Sequence, residues 1–183
     1  IFLEAAKAYA QSVENVLSAF DLPPQDWLTA SGDWIDFTID ESGFGTEGIA
    51  ELYSVTGEKK YAELAAKYMD RHTKYFERPD GLWNRCYNWH KKETTPTFYN
   101  TRGLGWAFEG LLATWHANPE KKIYLEKAVK MADVLLTGQQ PDGSWNYNYI
   151  QPVSEVGTSE KGTALYSLLY YRLYHATKDG RYL

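Results

Sequence analysis

The chain alternates between two kinds of helical segment, which differ in how their apolar residues are distributed. One kind is amphipathic, as over the first twenty residues, where Phe2, Val13 and Phe20 belong to a single apolar stripe. The other kind is apolar on almost every side, as from Ala164 to Tyr174. An amphipathic helix faces solvent, whereas a helix that is apolar all round is buried. The pattern therefore predicts an outer and an inner set of helices.

The breaks between the helical segments fall at proline, glycine and polar turn residues. We expect Asn118 to cap the helix that follows it, with Pro119 in its first turn. His72 lies on an apolar stripe, which favours a core histidine over a metal ligand. The stretches 25–40, 78–97 and 138–157 are expected to be loops. The predicted helices cover 1–20, about 45–55, 61–76, a segment from Arg102 onward, 124–136 and about 160–176.

A loop sequence that contains tryptophan is repeated along the chain. Pro79–Asn84 reads Pro-Asp-Gly-Leu-Trp-Asn, and Pro141–Asn146 reads Pro-Asp-Gly-Ser-Trp-Asn. Each unit comprises this loop, an inner helix, a short turn and an outer helix, which is an αα-hairpin. Two rings of such helices make an (α/α) toroid. We expect an all-α fold of about three hairpins, with 1–183 forming a single domain that is part of a longer chain, or alternatively an open helical array.

Composition excludes several classes of function. The chain has 183 residues and a net charge of −5, with no basic stripe that could neutralise the phosphates of a nucleic acid. No apolar run approaches the ~20 residues that a membrane-spanning helix needs. The single Cys86 and four scattered histidines provide no metal-binding pattern, and no phosphate-binding or dinucleotide fingerprint is present. We therefore predict no metal and no cofactor.

The aromatic content points instead to carbohydrate. Seven Trp, fifteen Tyr and seven Phe either fill a helical core or line a sugar cleft, where flat rings stack on pyranose faces. In a toroid, the long loops open at the end where the inner helices begin. We expect Trp83 and Trp145 at that end, together with Arg102 and Trp106. These last two are four residues apart and therefore neighbours on one helix face, which suits a sugar carboxylate.

Adjacent carboxylates stand where another inner helix begins. Asp40 and Glu41 are suited either to N-terminal capping or, beside apolar rings that raise a carboxyl pKa, to general acid catalysis.

At these positions the sequence resembles a known family. Arg102–Trp106, Arg-Gly-Leu-Gly-Trp, is similar to the RGxGW motif of the unsaturated uronyl hydrolases, glycoside hydrolase families 88 and 105. The segments Ile39–Tyr61, Gly138–Trp145 and Thr158–Ala164 are similar to further family segments in the same order, so the match covers roughly residues 39 to 165.

The resemblance implies a six-hairpin toroid that removes an unsaturated uronic acid from lyase-generated, pectin-like acidic oligosaccharides. The implied reaction is hydration of the C4=C5 vinyl ether, without a cofactor. Asp40 falls at the catalytic Asp of the family, and Arg102 and Trp106 fall where the family binds the uronic acid.

The chain also departs from the family pattern. Arg85 stands where the family often has a substrate-contacting His, for which His90 is a substitute, and Glu41 replaces the second residue of an Asp-Asp pair. We therefore expect substrate contacts from Arg102, Trp106, Trp83, Arg85, His90, Trp145 and Glu41. The alternatives are a polysaccharide lyase, with Tyr147, Tyr149 or His90 as base, a conventional glycosidase, and a non-catalytic carbohydrate-binding repeat protein.

Overall fold

The computed structural model describes residues 1–22, 27–28, 33–34, 36–38, 40–88, 91–95, 101–147 and 157–183. Within these ranges there are six α-helices: α1 Phe2–Ala19, α2 Asp40–Thr56, α3 Lys59–Phe76, α4 Thr101–Ala117, α5 Ile123–Leu136 and α6 Glu160–Thr177. A 3-10 turn, Gly180–Tyr182, follows α6. The predicted helices are confirmed, but α2 begins at Asp40 rather than near Gly45. None of the described helices combines the length and apolarity needed to span a membrane.

Two of the stretches expected to be loops contain short strands. Strands β1 Trp27–Leu28 and β2 Asp33–Trp34 form an antiparallel pair, and β3 Asp36–Thr38, β4 Cys86–Asn88 and β5 Glu93–Thr95 form an antiparallel sheet in that order. These strands have two or three residues each, which is too short for an alternating pattern to be read from the sequence. The sheet joins the segment before α2 to the segment before α4, because Thr38 pairs with Cys86.

The helices form the two predicted layers. In α4, twelve of seventeen residues are buried, and this helix contacts α2, α3, α5 and α6. In α1, only Ala10, Val13 and Leu17 are buried. The inner layer is α2, α4 and α6, and the outer layer is α1, α3 and α5. Although α6 was expected to be apolar and buried on all sides, it leaves Leu168 and Tyr171 about half exposed, at 45% and 55%.

The tightest packing in the fold is the crossing of α2 and α4. A Cβ atom placed on Gly110 would lie 2.1 Å from the carbonyl oxygen of Ser42, and one placed on Gly43 would lie 2.9 Å from the Cα of Trp106. Both positions therefore have to be glycine for the two backbones to approach this closely.

Asn118 does not have the capping role expected from the sequence. Its side-chain Nδ2 donates to the carbonyl oxygens of Ala62 and Thr114, at 3.0 Å each, and α5 begins only at Ile123. Asn118 thus ties the end of α4 to α3, because its buried amide finds carbonyl acceptors there.

The interpretation of His72 as a core residue is confirmed. It is 1% exposed, its Nδ1–H donates to the carbonyl oxygen of Tyr68 at 2.9 Å, and burial lowers its pKa to about 4.

Replacing Gly110 with alanine tests the helix crossing. We expect Gly110→Ala to lower the free energy of unfolding by at least about 2 kcal/mol, since overpacking forces the two backbones apart. The control is Gly48→Ala, in α2, where a Cβ meets nothing within 4 Å. That variant should be neutral or up to about 1 kcal/mol more stable, as alanine favours helix over glycine. Urea denaturation measures both, and equal effects would contradict the packing argument.

Candidate functional site at the start of the inner helices

The segment after α5 holds the first residues of α4 and α6 together. The Thr101 N–H donates to the carbonyl oxygen of Tyr147 at 3.1 Å, and the Ser159 N–H donates to that of Trp145 at 2.7 Å. Tyr166, from α6, donates its hydroxyl to the carbonyl oxygen of Thr101 at 2.7 Å. The starts of these two inner helices are therefore fixed relative to each other by hydrogen bonds between their backbones and a buried loop.

A cavity of about 170 Å³ opens where these two helices begin. Ser159 caps α6 by accepting a hydrogen bond from the Gly162 N–H at 3.1 Å. A helix N-terminus carries partial positive charge and attracts anions, and two cationic side chains reinforce it here. The lining residues are Arg102, Tyr147, Thr158, Ser159, Glu160 and Lys161.

Arg102 and Trp106 are neighbours, as their spacing predicted. The guanidinium carbon of Arg102 lies 4.9 Å from the centre of the Trp106 ring. A guanidinium over an indole face is a favourable cation–π arrangement. The cation of this pair lines the cavity, and the indole lies beside the cation.

The two repeated loops have a structural role that the sequence analysis did not assign. Trp83 is 1% exposed and packs against Phe76, with ring centres 6.4 Å apart. Trp145 is 2% exposed, and its Nε1–H donates to the carbonyl oxygen of Leu135 at 2.8 Å. The expectation that these two indoles contact substrate is therefore corrected, because neither presents a ring face to a ligand.

The Asp-Gly pair of each loop explains this burial. Asp80 accepts a hydrogen bond from the Leu82 N–H at 3.1 Å, and Asp142 accepts one from the Ser144 N–H at 3.0 Å. The glycines that follow each aspartate have φ of 94° and 85°, which residues with a Cβ rarely adopt. The tight turn directs the tryptophan back into the core.

The remaining predicted site residues are Asp40, Glu41, Arg85 and His90. Asp40 is the first residue of that helix. Arg85 is half-buried beside β4, and the pairing of Thr38 with Cys86 brings its backbone next to the start of α2. The side chains of Asp40 and Glu41 lie outside the described part of the structure, and so does His90.

The sequence analysis missed a charged cluster deeper between the inner helices. Glu47 of α2 forms an ion pair with Arg172 of α6, with Oε1 and Nη1 2.8 Å apart. Glu109 of α4 is only 6% exposed, and the negative charge of Glu47 acts on its carboxyl. Burial, followed by the proximity of Glu47, raises the pKa of Glu109 to about 7. The available signal was a lone carboxylate inside the apolar run from Trp106 to Leu112.

A larger groove of about 570 Å³ runs beside this cluster, between α2, α4 and α6. Acidic, aromatic and basic side chains line it, among them Glu47, Glu51, Trp115, Tyr171 and Arg172. In the ranges that the structure describes, no three His, Cys, Asp or Glu side chains are grouped as metal ligands would be.

Comparison with solved structures identifies the fold. The chain superposes on an unsaturated glucuronyl hydrolase from Bacillus sp. GL1 (TM-score 0.68, 16% identity, 87% of this chain and 45% of that one). It also superposes on a possible GH105 member from Klebsiella pneumoniae (0.72, 13%, 100% and 48%) and on a polysaccharide lyase (0.62, 18%, 97% and 53%). The chain spans about half the length of these structures.

The predicted fold class is thereby confirmed: the chain is an all-α partial toroid of helical hairpins, as found in six-hairpin glycosidases. The likeness to unsaturated uronyl hydrolases suggested by the sequence is also supported at the level of the fold. No protein-family model matches the chain, and no curated protein matches it significantly.

A substitution of Trp83 tests its reassignment to the core. We expect Trp83→Ala to lower the free energy of unfolding by about 3–5 kcal/mol, the usual cost of removing a buried indole. Denaturant titration gives this value, and the half-exposed Trp115 is the control, since Trp115→Ala should cost clearly less. A stable Trp83→Ala protein that had lost only sugar binding would restore the substrate-contacting role.

Proposed function

We propose that the protein is a glycoside hydrolase that removes an unsaturated uronic acid from the end of acidic oligosaccharides released by a polysaccharide lyase. The observation that carries the proposal is the position of Arg102, which lines a cavity at two inner-helix starts and pairs with the neighbouring Trp106. A guanidinium binds a carboxylate through paired hydrogen bonds, and an indole provides a face for a sugar ring. The fold, shared with unsaturated glucuronyl hydrolases, adds support.

The proposed reaction is hydration of the C4=C5 double bond. Asp40 donates a proton to C4, positive charge develops at C5 beside the ring oxygen, and water adds at C5 while giving up a proton to the Asp40 carboxylate. The resulting hemiketal opens by breaking the C5–O5 bond, which leaves a ketone at C5 and a hemiacetal at C1. That hemiacetal collapses to an aldehyde and releases the rest of the oligosaccharide from C1 as an alcohol. This differs from displacement between paired carboxylates, so a single acid at the site suffices.

Asp40→Asn tests the acid. We expect turnover to be abolished while substrate affinity changes little, because the amide keeps the shape of the carboxyl but cannot deliver its proton. Ultraviolet absorbance of the C4=C5 bond measures turnover, and calorimetry measures binding. Glu63→Gln, an exposed change on α3, is the control and should retain full activity. Unchanged turnover in Asp40→Asn would reject Asp40 as the acid.

Arg102→Ala tests recognition of the carboxylate. We expect affinity for an unsaturated uronide to fall by about 10- to 100-fold, the loss of one or two charge-assisted hydrogen bonds. Affinity for a neutral oligosaccharide of the same length should change far less. Lys67→Ala, which removes an exposed positive charge from α3, controls for long-range electrostatics. Equal losses for both sugars would mean that Arg102 does not contact the carboxylate.

A lyase is the second candidate, because one structure with this fold is a polysaccharide lyase. The same absorbance assay separates the two reactions. Hydration consumes the C4=C5 bond and lowers the absorbance, whereas elimination from an intact uronan creates that bond and raises it.

A further inference from the structure

The charged cluster lies farther along the same helices than the mouth of the site, which is the first turn of α2, with Asp40, and the first turn of α4, with Arg102. Glu47 follows Asp40 by seven residues, and Glu109 follows Arg102 by seven residues. Seven residues make two helical turns, so each glutamate lies about 10 Å farther along its helix, on the same side as the mouth residue. The cluster and the mouth are thus joined by two turns of α2 and two turns of α4.

The carboxyl of Glu109 is pressed against the backbone of α2. Its Oε2 lies 2.8 Å from where a Cβ of Gly43 would be, one turn after Asp40. This oxygen is buried and has no hydrogen-bond partner, and the negative charge of Glu47 lies close to the carboxyl. A buried carboxyl with an unsatisfied oxygen and a like charge nearby is held in its protonated form.

Only one of the two carboxylates has a cationic partner. Arg172 pairs with Glu47 and so neutralises a single negative charge. A second charge on Glu109 would be buried next to a like charge, with one oxygen unsatisfied. The arrangement therefore holds together α2, α4 and α6 only while Glu109 is protonated.

We propose that Glu109, together with Glu47 and Arg172, is a positioning group: in its protonated form Glu109 holds α2 against α4 and thereby sets the spacing between the first turns of these helices, which carry Asp40 and Arg102. Its effect on activity rests on the proposed function, but its effect on helix packing does not. Loss of the proton places two like charges at the crossing and loosens the start of α2.

The groups around Glu109 determine the pH at which it loses its proton. The charged groups that act on it are Glu47, from α2, and Arg172, from α6. From α3, His72 faces the core and is neutral, since burial lowers its pKa to about 4. From α5, the inward phenol is Tyr124, and burial raises its pKa. The other ionisable groups that line the groove beside Glu109 are Glu51 of α2, His116 of α4 and His175 of α6.

The sign of the pH dependence follows from the raised pKa. Between the ordinary value of 4.5 and about 7, the folded protein binds this proton more tightly than the unfolded chain does. The stabilising contribution is therefore complete below about pH 4.5 and is lost as the pH rises through about 7.

The stability test compares thermal unfolding of the protein and of Glu109→Gln from pH 4.5 to 8. Glutamine has the shape of the protonated carboxyl and cannot lose a proton. At each pH, the measured quantity is the unfolding midpoint of Glu109→Gln minus that of the unmodified protein. We expect this difference to be about 3–6 °C larger at pH 8 than at pH 4.5. Glu63→Gln should follow the unmodified protein at every pH. A pH-independent difference between Glu109→Gln and the unmodified protein would overturn the proposal.

Glu47→Gln is the second variant, because it removes the like charge without touching the buried carboxyl. Without the negative charge of Glu47, the pKa of Glu109 should fall, and the loss of stability should shift to lower pH. An unchanged pH range would contradict an effect of Glu47 on the proton of Glu109.

The activity test is the pH profile of kcat/KM on an unsaturated uronide. Activity of both proteins should fall with rising pH as the acid, Asp40, loses its proton. The fall should be steeper through about pH 7 in the unmodified protein, because Glu109 also ionises there, whereas Glu109→Gln should show only the limb due to Asp40, a difference that a merely structural role would not produce. If stability responds as expected but the alkaline limb of activity is unchanged, Glu109 does not position the mouth. If no uronide is turned over at any pH, the proposed function fails and the stability result stands by itself.

Discussion

The close crossing of α2 and α4 is the constraint on which the inner layer depends. Gly43 and Gly110 remove two side chains from the contact, so that the backbone of one helix lies against the backbone of the other. Such an approach fixes the rotation and height of both helices more strictly than an interface of long side chains, which can repack. The first residues of α2 and α4 form part of the mouth, and the crossing therefore fixes the separation of Asp40 from Arg102 along the ring.

The repeated loops stabilise this arrangement by packing into the core. Trp83 and Trp145 occupy equivalent places in two successive loops, and each indole is buried. The Trp145 segment also provides the carbonyl acceptors for the first amide of α4 and for the cap of α6. A loop that carries a large buried anchor behaves as part of the core. The backbone groups that face the cavity are consequently held by packing several residues away from it.

Much of this was predictable from the sequence because the relevant signals were local. Helical periodicity located all six described helices, and the spacing of Arg102 and Trp106 correctly placed them side by side. The three-stranded sheet and the role of Asn118 depend on partners distant in sequence, such as Cys86 for Thr38 and Ala62 for Asn118. The tryptophans were misassigned because abundance of indoles does not distinguish a sugar platform from a core anchor, and only burial decides between them.

Glu109 illustrates why a site can escape analysis of sequence patterns. In the sequence, Glu109 is a single acidic residue in an apolar helix, and no basic residue lies within one turn that could pair with it. Its chemistry arises only when α2 and α6 bring the ion pair of Glu47 and Arg172 close to its buried carboxyl. One cation and two carboxyls leave one proton as the remaining means of neutralising the cluster. Gly43 and Gly110 let α2 and α4 approach closely, and this close approach buries the carboxyl of Glu109, so that it keeps its proton. The protonation of Glu109 and the crossing of the two helices therefore depend on each other.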